Sequence, residues 1–80
     1  MRIFITGIAG FLGANLADHF LKNGHVVAGN DNLVGGFLSN VPKSVQFYNL
    51  SCEDLDGMCR AIEGSDVVIH SAAYAHEGLS

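Results

Sequence analysis

Positive charge is scarce in this 80-residue chain: Arg2, Lys22, Lys43 and Arg60 stand against eight Asp and Glu, for a formal charge of −4. The four cations are scattered, so no basic stripe can follow a nucleic-acid backbone. An anionic ligand must instead be held by backbone N–H groups and a helix dipole. Tryptophan is absent and proline occurs once, while glycine occurs ten times and 49% of the residues are hydrophobic. That balance excludes a disordered chain and suits buried strands joined by tight turns. No apolar run approaches the roughly 20 residues of a membrane-spanning helix, and no signal peptide opens the chain. Cysteine is limited to Cys52 and Cys59, which read as parts of one helix. Seven residues of helix put them about 10 Å apart along its axis, too far for a disulfide. Unpaired thiols and no membrane segment predict a cytoplasmic protein without membrane partners.

What the chain does have is an alternation of short apolar runs and amphipathic segments. Arg2-Ile3-Phe4-Ile5-Thr6 lacks polar alternation, as expected of a central parallel strand covered on both faces. Phe11 to Asn23 carries Leu12, Leu16 and Phe20 at helical spacing, with Asn15, Asp18, His19 and Lys22 opposite, and Gly24 stands where a left-handed cap belongs. His25 to Gly29 is a second apolar run, ending at Asn30-Asp31-Asn32. Leu33 to Ser44 reads as a loop with a turn or two of helix. Val45 to Tyr48 reads as a strand near a sheet edge. Ser51 and Asp54 resemble a capping box before a helix bearing Leu55, Met58, Cys59 and Ile62, closed by Gly64. Asp66 to His70 is a fourth strand running into Ser71-Ala72-Ala73.

Right-handed crossovers on such a pattern predict an α/β doubly wound parallel sheet of strand order 3-2-1-4. The last strand would then have a bare edge, which natural domains avoid. Residues 1–80 are therefore expected to be the N-terminal portion of a larger dinucleotide-binding domain.

The chemistry is concentrated in Thr6-Gly7-Ile8-Ala9-Gly10-Phe11-Leu12-Gly13. A strand, a turn with bare backbone and a helix N-terminus in that order make a phosphate site. Gly7 permits the tight turn, Gly10 lets backbone approach a pyrophosphate, and Gly13 lets helix and sheet pack closely. Spacing alone is weak in a glycine-rich chain, so the context decides. Asp31 ends the second strand eighteen residues after Gly13, where a carboxylate can accept from an adenosine ribose. An Asx turn is the local alternative for Asp31. A carboxylate there repels a 2′-phosphate, and no Arg or Lys lies between Asn23 and Pro42 to attract one, so NAD is expected over NADP. No P-loop is present, because no lysine follows the glycine turn. His76-Glu77 fails as a zinc motif, because Ser80 stands where the second histidine belongs; no metal site is expected.

Three segments together, Thr6-Gly7-x-x-Gly10-Phe11-Leu12-Gly13, Asp31-Asn32-Leu33 and Val68-Ile69-His70-Ser71-Ala72-Ala73, resemble the extended short-chain dehydrogenase/reductase superfamily. Within it the chain is most similar to the NAD-dependent nucleotide-sugar epimerases and dehydratases. The resemblance implies a Rossmann fold and bound NAD, with the backbone of Phe11 and Leu12 at the pyrophosphate and Asp31 and Asn32 at the adenosine ribose. It further implies Asn49 and Leu50 beside adenine, where the family usually has Asp followed by Ile or Leu, and Ala72 and Ala73 toward the nicotinamide. The family's catalytic Tyr-x-x-x-Lys pair does not occur in these 80 residues: Cys52 and Gly78 stand four places after Tyr48 and Tyr74. The segment is thus expected to bind cofactor and to lack catalytic residues of its own. A nucleotide sugar is the implied substrate and a homodimer the expected assembly. Another reductase of the superfamily and a non-catalytic dinucleotide sensor are the alternative functions.

Overall fold

The computed structural model describes residues 1–34 and 36–72. The elements are β1 (Arg2–Thr6), α1 (Phe11–Lys22), β2 (Val26–Asp31), a short 3-10 turn at Leu38–Asn40, β3 (Gln46–Asn49), α2 (Leu55–Ile62) and β4 (Val67–His70). The strands form one parallel sheet in the order β3-β2-β1-β4, as the crossover rule predicts. In register, Phe4 lies between Ala28 on one side and Val68 on the other.

Side chains of a strand alternate between faces, and each face of this sheet has its own core. Ile3 and Ile5 pack with Ile8, Ala17 and Val27, and Leu16, Phe20 and Leu21 of α1 close over them. Phe4 points the other way, onto Ala28 and onto Met58 and Ala61 of α2. The helices therefore cover opposite faces. Removing a side chain the size of Phe4 from water contributes about 1.5–3 kcal/mol.

Several boundaries differ from those predicted. β2 begins at Val26 rather than His25, and it ends at Asp31 as expected, Asn30 and Asp31 pairing in register with β1 or β3. The predicted capping box is replaced by two separate motifs. Asp54 alone is the N-cap of α2, its Oδ1 accepting from Gly57 N at 3.0 Å, while Ser51 Oγ accepts from Glu53 N at 3.1 Å in a turn of its own. Cys52 consequently lies outside the helix that carries Cys59. The buried line of α2 runs through Met58 and Ala61, leaving Leu55 74% exposed and Cys59 exposed. In α1 the deepest positions are Gly13 and Ala17 rather than Leu12. Gly24 and Gly64 follow the two helices with φ +83 each, as cap glycines do.

Candidate functional site

The glycine turn joins β1 to α1 at the C-terminal end of the sheet. Gly7 takes φ +69, a left-handed conformation that favours glycine, and its carbonyl accepts from Gly10 N at 3.1 Å. Gly13 is buried in α1, where an added Cβ would stand 2.8 Å from Ile8 Cα. Only a bare α-carbon lets the helix mouth come this close to the turn.

Gly10 is the N-cap of α1 and supplies no side-chain cap. The first bond across this turn is Ala14 N to Gly10 O at 2.9 Å. The N–H groups of Phe11, Leu12 and Gly13 come before it, where a helix has donors without intrahelical partners. No acidic residue occupies this first turn, and the Phe11 ring is 85% exposed. The mouth therefore keeps its partial positive charge for an external anion.

Asp31 stands at the end of β2, buried, and is bound into the same turn. Its Oδ2 accepts from Ala9 N at 3.0 Å and its Oδ1 from Leu33 N at 2.8 Å. The second bond is the Asx turn named above as the local alternative, and it supports Leu33 at φ +64. The two readings of Asp31 are compatible, since an ionised carboxylate has about four acceptor sites and these bonds use two. Asn32 is exposed, its Oδ1 accepting from Val34 N at 3.1 Å. The following loop lies back on the glycine turn: Phe37 N and Asn40 Nδ2 both donate to Ala9 O, at 3.2 and 3.1 Å. Gly36 is buried there, and a Cβ on it would meet Ala9 at 2.6 Å.

A cavity of about 400 Å³ opens over this end of the sheet, with Gly7, Asp31, Asn32, Leu50 and Ala72 among its lining residues. These five were all singled out from the sequence. Gly10, Phe11, Leu12 and Gly13 belong to the adjoining helix mouth. Asn49 is exposed at the end of β3, in register with Asp31, and is absent from the cavity lining. Ala73 lies outside the described residues.

Five lining residues escaped the sequence reading as site residues: Asn30, Ser51, Cys52, Glu53 and His70. Strand register explains two of them. Thr6 pairs with Asn30 on one side and with His70 on the other, and Asn30 pairs with Tyr48, so four polar side chains cross one face of the sheet in a row. Thr6 Oγ1 and His70 Nδ1 are 2.7 Å apart. Ser71 Oγ donates to Thr6 O, tying the end of β4 to the glycine strand. Asn30 Nδ2 donates to Leu50 O at 3.0 Å and lies 3.5 Å from Cys52 Sγ. The signal for Asn30 lay in the period of two: in a strand that ends at Asp31 it shares the face of Ala28.

Comparison with known proteins agrees with this geometry. The model of the NAD dependent epimerase/dehydratase family matches residues 3–80. A UDP-glucose 4-epimerase of Streptomyces lividans is 34% identical over 82 residues, covering 99% of this chain and 25% of the relative. Among solved structures, the UDP-glucose 4-epimerase of Thermus thermophilus in complex with NAD is 39% identical with a TM-score of 0.79, covering 88% of this chain and 23% of that one. The Bordetella bronchiseptica enzyme WbmG in complex with NAD and UDP is 36% identical with a TM-score of 0.82, covering 89% and 24%. The chain thus spans about a quarter of the length of the relatives it matches.

Proposed function

This chain belongs to the NAD dependent epimerase/dehydratase family, and on that premise we propose that residues 1–80 hold NAD for a nucleotide-sugar epimerase or dehydratase. One observation carries the reading: Asp31 Oδ2 accepts from Ala9 N inside the glycine turn at 3.0 Å. The acid at the tip of β2 and the open mouth of α1 are thereby one unit, able to meet the ribose and pyrophosphate of a single ligand.

The residues fit that group. The N–H groups of Phe11 and Leu12 face a diphosphate without a competing side-chain cap. Gly7, Gly10 and Gly13 keep the approach clear of side chains. Asp31 has acceptor capacity left for the ribose hydroxyls, and Asn32 adds an amide beside it. Leu50 forms an apolar wall for adenine, with Asn49 next to it offering a neutral acceptor. Ala72, followed by Ala73, keeps the nicotinamide end of the cleft free of bulk. When bound, the dinucleotide supplies the reversible oxidation of a sugar carbon; the protein supplies orientation and charge placement. In the full-length protein the Tyr-x-x-x-Lys pair of the family would move the proton. A nucleotide sugar is the substrate, a homodimer the assembly and the cytoplasm the location under this reading.

The test is calorimetry on the full-length protein with NAD and NADP. NAD binds the more tightly, because the Asp31 carboxylate repels a 2′-phosphate. Asp31→Asn weakens NAD binding by about 10- to 100-fold, the worth of one charge-assisted hydrogen bond of roughly 1.5–3 kcal/mol. Equal affinity for NADP, or an Asp31→Asn variant with undiminished NAD binding, would overturn the assignment.

A further inference from the structure

We propose that Cys52 is a thiol gate on cofactor loading: a covalent adduct on its sulfur and a bound dinucleotide exclude each other. The inference rests on the cofactor reading for what fills the cavity. The class of reagent is a soft carbon electrophile such as an α,β-unsaturated carbonyl.

Cys52 is a free, half-buried thiol in the turn between β3 and α2, and it lines the cavity alongside Leu50 and Asp31. Because Asp54 rather than Ser51 caps α2, the residue belongs to the rim of the site and not to the helix. A second observation points to a ligand at the same place. Asn30 is only 1% exposed, lines the same cavity, and directs Nδ2 to Leu50 O and toward Cys52 Sγ. Its Oδ1 is buried and has no hydrogen-bond partner among the described residues. Buried acceptors are almost always paired, so an orphan beside the thiol is an acceptor that a donor-bearing ligand would satisfy. Cys52, Asn30 and Leu50 line one cavity, the space that the cofactor reading gives to adenine.

The reaction is an addition in which nothing leaves. The Cys52 thiolate forms a C–S bond to the β-carbon, and the displaced alkene pair takes a proton from solvent at the α-carbon. The adduct then stands inside a cavity of about 400 Å³, in the volume that the adenine end would occupy. Cys59 is the internal control. It is the other free thiol among the described residues, exposed on α2 and absent from the cavity lining.

The experiment uses the full-length protein with N-ethylmaleimide as probe, following the Cys52 and Cys59 peptides by mass spectrometry after NAD binding has been measured by calorimetry. With NAD at about 100 times its dissociation constant, labelling of Cys52 slows about 100-fold, because only the free fraction reacts, while labelling of Cys59 keeps its rate. Protein capped at Cys52 binds NAD at least about ten-fold more weakly, and Cys52→Ser has the same affinity before and after maleimide. Equal labelling of Cys52 with and without bound NAD overturns the gate while leaving the cofactor reading intact, as does undiminished NAD affinity after complete capping. Failure of NAD to bind the untreated protein overturns both. The protection measurement needs no variant, so a Cys52→Ser protein that fails to fold does not shield the proposal.

Discussion

On one face of the sheet, the twelve-residue α1 packs Ala17 with Ile3, Ile5, Ile8 and Val27 and buries Gly13 against Ile8, and Val41, Val45 and Phe47 pack against the same cluster. On the other face, the eight-residue α2 buries Met58 and Ala61 against Phe4 and Ala28, while Leu55 and Val68 remain 74% and 45% exposed. The two faces do different work. Close packing on the α1 side fixes the distance between the helix mouth and the glycine turn, and that distance decides whether amides can converge on a phosphate. The α2 side contributes its approach to the cavity through a turn, Ser51 to Glu53, rather than through the helix. A phosphate cradle of backbone atoms tolerates little movement, since each donor must reach hydrogen-bond distance together. The face that builds the cradle is accordingly the one with the smallest residues at its helix–sheet contact.

Three substitutions in the full-length protein probe that contrast, each read by urea unfolding. Ile5→Ala removes a fully buried side chain from the α1 core and lowers stability by about 2–5 kcal/mol. A loss below about 1 kcal/mol would mean that the α1 face is no tighter than its counterpart. Gly13→Ala puts a Cβ within 2.8 Å of Ile8 Cα and pushes α1 off the turn, lowering stability by about 1–3 kcal/mol. Because the same push displaces the amides, NAD affinity falls along with stability; a variant that loses stability alone would separate the packing from the cradle. Leu55→Ala on α2 is the smallest, within about 0.5 kcal/mol, as for an exposed side chain. A loss as large as that of Ile5→Ala would show the α2 face to be covered in the full-length protein.

The sequence reading succeeded where a local pattern had one physical outcome. An apolar run without alternation, Ile3-Phe4-Ile5, is a strand buried on both sides, and its burial is complete or nearly so. The glycine spacing was read for backbone freedom, and Gly7 at φ +69 with Gly13 pressed on Ile8 has that geometry. It faltered at ends. Ser51 and Asp54 both offer a side-chain oxygen to a nearby amide, and the choice between one capping box and two separate turns depends on where α2 meets the sheet. At β2 the expected end held: Asp31 is the tip of the strand, and the ladder with β1 and β3 carries Asn30 and Asp31 extended to that point.

By itself, the order of residues settled the succession of strands and helices, their parallel arrangement as 3-2-1-4, and a glycine turn that opens onto a helix mouth without a side-chain cap. Those properties follow from patterns only a few residues long and from the handedness of L-amino acids. The row Tyr48-Asn30-Thr6-His70, the Asn30 oxygen without a partner among the described residues and the place of Cys52 beside that amide were decided by tertiary structure alone. They depend on register between strands 18 to 64 residues apart, and a slip of one position, invisible in any local pattern, would turn each of those side chains to the opposite face.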